Sequence, residues 1–214
     1  MNQPEKAQAF EFGVDPAQQQ PGKNPYVGIL LAAGRGRRFD PAGVRNKLLQ
    51  PLPDGAIVVS QAAHHLAAAM DKMLIVVPAH SSTLLTTLSS FGFTVTECLD
   101  ADSGMAASLV HGLNLSSAAA GWIIALGDMP FVQPETIRQM VVALAQGAGI
   151  VAPVYQGVCG NPVGFDHRYL PQLLQLSGDV GARKLLQQYP VTEITVDDPG
   201  VCRDIDTVRD LQQD

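Results

Sequence analysis

The sequence predicts an α/β protein: a single domain of three layers, with a mostly parallel, Rossmann-like sheet between two layers of helices. Three observations predict it. Apolar runs of strand length recur along the chain and stay apolar at consecutive positions, as strands buried on both faces do. These runs alternate with segments of helical periodicity, the pattern of parallel βαβ units. No repeat or internal linker breaks the run from residue 25 to residue 214, which is read as one domain, preceded by a flexible, Gln- and Pro-rich tail over 1–24.

The elements follow in order. "YVGILLAA" (26–33) is the first buried strand. "IVVSQAAHHLAAAM" (57–70) opens apolar and continues as a helix, with Ser60 placed to cap it. "KMLIVVP" (72–78) is a strand, "SSTLLTTLSSF" (81–91) a helix, and "FTVTECLD" (93–100) alternates as a strand. "MAASLVHGLNL" (105–115) is a helix opened by Gly104, and "GWIIALGD" (121–128) is a buried strand. "PETIRQMVVALAQG" (134–147) begins with proline and ends with glycine, the usual helix asymmetry. "GIVAPVYQG" (149–157), "PVGF" (162–165) and "VTEITV" (191–196) read as strands. "YLPQLLQL", "GARKLLQQY" and the closing "DTVRDLQQ" read as short helices.

Composition narrows the function. With 46% hydrophobic and 16% charged residues in 214, the chain can bury a full core. A formal net charge of −6 makes nucleic acid and an anionic membrane surface poor partners. No apolar run approaches the roughly 18 residues that span a bilayer. The three cysteines, Cys98, Cys159 and Cys202, are scattered and form no C-x-x-C, so the expectation is free thiols in a reducing cytoplasm.

In such sheets ligands sit beyond the carboxyl ends of the strands, so strand-end residues carry the functional reading. "LAAGRGRR" (31–38) places Gly34 and Gly36 where backbone can approach a ligand, and Arg35, Arg37 and Arg38 where charged donors can meet phosphate oxygens. Lys47 follows within reach. The loop is not a Walker A sequence, and Phe39 replaces the third glycine of a dinucleotide fingerprint. The bland alternative is a solvated basic loop. Asp128 closes the buried strand of "ALGDMP" (125–130). A carboxylate there can hold Mg²⁺ or simply shape a turn. In "RDIDT" (203–207), Asp204 and Asp206 are two residues apart and share a side of an extended segment. Either can join Asp128 around a metal, or Asp206 or Thr207 can cap the last helix. "DSGMAASL" (102–109) opens a helix with small residues, among them Gly104 and Ser108, where a base or ribose can pack. "GVCGNPVGF" (157–165) shapes a turn around Asn161 and Pro162. The histidines show no metal-ligand spacing, and no serine stands in G-x-S-x-G.

Taken together, "LAAGRGRRFD…NKLL", "LGDMPF", "GNPVGF", "SGDVGARKLL" and "DIDT" resemble, in order, the segments of the MobA/MocA-like nucleotidyltransferases related to molybdenum cofactor synthesis. The resemblance runs from about Tyr26 to the C-terminus. It is nearest the cytidylyl branch, since Ala33 stands where the GTP-using branch has glycine. The chain departs from the pattern at Arg38-Phe39-Asp40, at Ala106-Ala107-Ser108 and at Cys159-Gly160-Asn161-Pro162.

What the resemblance implies is specific. The fold is that of a nucleotidyltransferase, and the activity is Mg²⁺-dependent transfer of CMP from CTP to a pterin-type phosphate acceptor, the molybdenum cofactor, with loss of pyrophosphate. Arg38, Lys47 and Asp128 take catalytic roles, and Asp128 and Asp206 hold the metal. Leu31, Ala32, Ala33, Gly34, Arg35 and Gly36, with Lys47, bind the nucleotide, Arg35, Arg38 and Lys47 holding its triphosphate. Pro78, Gly104 and Ser108 are further nucleotide contacts, and Asn161 and Pro162 bind the acceptor. A molybdoenzyme that receives the finished cofactor is a further partner. Two other functions fit parts of the pattern: a nucleotide-sugar glycosyltransferase, through Asp204-Ile205-Asp206, and a non-catalytic chaperone that binds the molybdenum cofactor.

Overall fold

The computed structural model describes residues 25–34, 36, 38–40 and 45–212. The expected tail, Arg35 and Arg37 lie outside the described residues. Eight strands form one mixed sheet: β1 (Tyr26–Leu31), β2 (Lys72–Pro78), β3 (Val95–Cys98), β4 (Gly121–Leu126), β5 (Ile150–Tyr155), β6 (Val158–Cys159), β7 (Val163–Asp166) and β8 (Thr192–Thr195). Their order is β3-β2-β1-β4-β7-β5-β6, with β8 paired to β5. The β1–β2, β1–β4, β2–β3 and β5–β8 pairs are parallel, and β7 runs antiparallel to both β4 and β5.

Register explains where a ligand can sit. Leu31 lies opposite Val76 of β2 and Leu126 of β4, so three parallel strands end at one edge. The ladder then runs on into the loops: Ala32 N donates to Val76 O at 2.8 Å and Gly127 N to Leu31 O at 2.9 Å. Because β7 is antiparallel, Val163 pairs with Ile124, and the preceding Asn161 and Pro162 arrive at the same edge from the opposite direction.

Alternation along each strand splits the core into two. Leu30, Ile75, Val77, Ile123 and Val151 face α1 (Val58–Ala67), α2 (Ser82–Ser90) and α4 (Pro134–Ala145). Ile29, Leu31, Leu74, Val76, Trp122 and Ile124 face α3 (Met105–Leu115) and α5 (Leu170–Leu173). Helices therefore cover both faces, as the doubly apolar strands require. Among the described residues, no helix is long and apolar enough to cross a membrane.

The structure corrects some local expectations. Ser60 does not cap α1. The helix begins at Val58 because Val58 and Val59 both turn into the core, and the extended Ile57 supplies the cap by its backbone. The segments expected as helices around 181–189 and 206–213 contain 3₁₀ turns, Ala182–Gln187 and Val208–Gln212. Two-residue β6 pairs back onto β5 as a hairpin that the sequence reading passed over.

Candidate active site

Lys47 opens a single 3₁₀ turn, Lys47–Leu49. Its start is capped by Asn46, whose side-chain oxygen accepts from Leu48 N at 3.0 Å. The neighbouring Leu48 is buried in the α1-side core and fixes the turn against it. The Lys47 side chain, 8% exposed, runs to the strand edge, where its Nζ donates to Asp128 Oδ2 at 2.6 Å and to Asp206 Oδ1 at 2.9 Å. Arg38, on the surface, pairs with the other oxygen of Asp206 at 2.5 Å.

Burial by itself would push the Lys47 ammonium down. The charges and hydrogen bonds of Asp128 and Asp206 outweigh it, and the group is held above its ordinary value. A lysine with two carboxylates on it is charged at any physiological pH.

Three acidic side chains converge here. One carboxylate oxygen from each of Asp128, Asp204 and Asp206 lies within 4.8 Å of the others. Asp128 follows β4. Its carbonyl accepts from Ile205 N at 2.8 Å, and that bond stitches the C-terminal segment to the strand end. Ile205 is fully buried, so its neighbours Asp204 and Asp206 both turn the other way, as two-residue spacing demands. Asp206 does not cap the last turn. Asp210 accepts from Asp206 N at 3.0 Å, Thr207 N at 2.6 Å and Thr207 Oγ1 at 2.9 Å, which leaves the Asp206 carboxylate to Lys47 and Arg38. Burial, then Asp206 and Asp128, raise Asp204 above its ordinary value. Hard carboxylate oxygens at this spacing fit a hard divalent cation.

The loop after β1 is built to lie close. Gly36 has φ of +56°, and its carbonyl accepts from Phe39 N at 3.0 Å and Asp40 N at 3.2 Å. Phe39 is buried in the α1-side core and anchors the turn. A Cβ on Gly36 would stand 3.4 Å from Lys47 Cγ, so loop and lysine stem are in register.

Beside the carboxylates lies a cavity of about 390 Å³ lined by Leu31, Ala33, Gly34, Lys47, Leu48, Leu126 and Asp128, and by Gly104, Ser108 and their neighbours. Ala32 follows β1 and faces the core, Gly36 packs on Lys47, and Pro78 ends β2; none of these three lines the cavity. Asn161 and Pro162 are elsewhere. Asn161 lines a second cavity of about 210 Å³ that also takes in Cys159, Arg183, Cys202 and Asp204. Its backbone N–H donates to Val201 O at 2.8 Å, and Arg183 donates to Cys159 O at 2.8 Å. Asp204 therefore reaches the second cavity and Asp128 the first, with the acidic cluster between. Arg183, Asp102 and Asp179 escaped the sequence reading; the only signal for Arg183 and Asp179 was their place in "SGDVGARKLL".

Comparison with known proteins bears on this arrangement. A family described as the MobA-like NTP transferase domain matches residues 28–193. The chain is 28% identical over 198 residues to the purine catabolism protein PucB of Bacillus subtilis (strain 168), covering 86% of this chain and 94% of that protein. Among solved structures, Rv0371c of Mycobacterium tuberculosis H37Rv, in complex with manganese, aligns with a TM-score of 0.71 and 27% identity, over 88% of this chain and 96% of that one. A nucleotidyl transferase from Methanothermobacter thermautotroptrophicus aligns with a TM-score of 0.72 and 22% identity, over 88% and 95%; at that identity the likeness concerns the fold.

Proposed function

We propose that this chain, which belongs to the MobA-like NTP transferase domain family, transfers CMP from CTP to a phosphate-bearing acceptor of the molybdopterin type. In the reaction an acceptor phosphate oxygen forms a bond to the α-phosphorus of CTP. The bond from that phosphorus to the β-phosphate bridging oxygen breaks, and pyrophosphate leaves. Both reactants are anions, so the chain must supply positive charge and fixed geometry. One observation carries the reading: the Asp128–Asp204–Asp206 cluster lies between two cavities, with Lys47 inserted into it.

The roles follow from placement. Gly34 brings backbone to the first cavity, where CTP binds. Lys47 and Arg38, already gathered at the carboxylates, reach the polyphosphate. Arg35 adds charge from the same loop. Ser108 and Gly104 line the nucleoside part, and Pro78 stands at the neighbouring strand end. Asn161, which lines the second cavity, binds the acceptor, with Pro162 beside it in the turn that leads into β7. Asp128 and Asp206, with Asp204, would hold a divalent cation. When bound, Mg²⁺ would neutralise charge that develops on the phosphate oxygens. The manganese complex of Rv0371c supports a divalent cation in a relative.

The test is thermal unfolding of the protein in Mg²⁺ with CTP, GTP, UDP-glucose or NADH. A ligand at a hundredfold excess over its Kd stabilises by about 2.7 kcal/mol. The expected outcome is a raised midpoint with CTP, followed by pyrophosphate release only when a molybdopterin acceptor is added. A response to GTP alone overturns the base assignment. A response to UDP-glucose with sugar release overturns the reaction.

A further inference from the structure

We propose that Asp179 is a specificity-determining residue, whose carboxylate accepts a hydrogen bond from a donor on the nucleoside. The inference rests on the nucleotidyl-transfer reading and adds a site for the base or ribose that this reading leaves without a charged contact.

The lining of the first cavity falls into two chemical groups. Gly34, Lys47 and Asp128 come from the strand ends and suit polyphosphate with its cation. Asp102, Ser103, Gly104, Ser108 and Asp179 come from two other segments and contribute no positive charge. A carboxylate repels polyphosphate and attracts N–H and O–H donors. On CTP those donors are the exocyclic amine of cytosine and the ribose hydroxyls. Ser108 lines the same part of the cavity. It is 2% exposed, its hydroxyl has no hydrogen-bond partner, and it lines this cavity. A buried hydroxyl is rarely left unsatisfied, and a ligand in the cavity would satisfy it.

Asp179 is held there by backbone. Gly178, at φ +65°, accepts from Ala106 N at 3.0 Å through its carbonyl. Gly104 has φ of +122°, and a Cβ on it would fall 2.3 Å from the Gly178 carbonyl and 2.8 Å from Asp179 N. A Cβ on Gly181 would fall 2.8 Å from Met105 Sδ. The loop carrying Asp179 is thus seated on the start of α3 through contacts that leave no room for side chains, and none of them uses the Asp179 carboxylate. This accounts for the "SGDVG" segment, to which the transfer reaction by itself assigns nothing.

The experiment is titration calorimetry on wild type, Asp179→Asn and Asp179→Ala with the Mg²⁺ complexes of CTP, UTP and inorganic tripolyphosphate. Tripolyphosphate has the charge of the nucleotide and lacks the nucleoside. Removing the carboxylate is expected to leave tripolyphosphate binding unchanged or tighter, and to weaken CTP roughly tenfold, as for loss of a charge-assisted hydrogen bond. If the donor is the exocyclic amine, UTP, which has a carbonyl in its place, stays put and the preference for CTP narrows. If the donor is a ribose hydroxyl, CTP and UTP weaken together. Either pattern supports the proposal. CTP affinity that is unchanged, or that rises in step with tripolyphosphate, overturns it while leaving nucleotidyl transfer intact. Failure of wild type to bind any of the three defeats both readings.

Discussion

Lys47 illustrates how a single residue can stand in for a metal. Its ammonium sits between two carboxylates with a third close by, and it supplies the buried counter-charge that keeps the cluster folded. Because its pKa is raised, its contribution is complete below the ordinary lysine value and is lost only as pH climbs through the higher folded value, far above neutrality. Lys47→Met keeps the volume and removes the charge. It should lower stability by about 2 kcal/mol in metal-free buffer, since the carboxylates are left to repel each other while partly solvated. Mn²⁺ should then raise the melting point more in the variant than in wild type, because the cation replaces the missing charge. Equal metal responses would show that Lys47 and the metal do not share a site. Asp128 was legible in the sequence because an acidic residue closing an apolar strand is conspicuous. The choice between Asp204 and Asp206 was not legible, and the structure brings both to the cluster because buried Ile205 turns its two neighbours the same way.

At the scale of elements, the C-terminal segment is held in place by a helix that precedes it by some sixty residues. Asp198 is buried at the start of α4, where it accepts from Gln133 N at 2.8 Å and from Thr136 Oγ1 at 2.7 Å, while its other oxygen accepts from Gly200 N at 3.0 Å. The N-cap residue Gln133 makes no side-chain cap bond of its own. A cap supplied from elsewhere in the chain therefore does two jobs: it meets the positive end of α4 and fixes the strip that carries Asp204 and Asp206. A Cβ on Gly200 would lie 2.2 Å from Phe131 O, which shows how closely this strip is laid down. Asp198→Ala should cost about 2 kcal/mol in urea unfolding, from one lost cap and its orphaned partners. It should also weaken Mn²⁺ binding, although Asp198 is not in the acidic cluster. A loss of stability with metal affinity unchanged would confine Asp198 to α4. The sequence signalled the proline start of α4 correctly, but a cap donated across 62 residues leaves no local trace.

The described residues form one sheet with a core on each face, and both cores are built from alternate residues of the same strands. Neither can unfold without stripping the other, so unfolding should be a single cooperative transition. Trp122, the one tryptophan, is fully buried on the α3 side. Its fluorescence and the far-ultraviolet circular dichroism should therefore give coincident urea curves. Separate midpoints would mean that the two cores unfold independently. The acidic whole also frames the basic loop: a chain of net charge −6 offers polyanions a poor surface overall, and Arg38 and Lys47 gather positive charge at the strand ends. By itself the sequence determined the α/β class, most strands and helices, and the strand-end segments that hold the cluster, because those are set by periodicity and by residues a few positions apart. Only the tertiary structure decided the rest. It ran β7 antiparallel so that Asn161 meets the strand ends, turned Lys47 onto Asp128 and Asp206, and seated Gly178 on Gly104 so that Asp179 enters the cavity. Those contacts join residues up to 159 positions apart, and their energies come from packing and charge between segments that no local pattern relates.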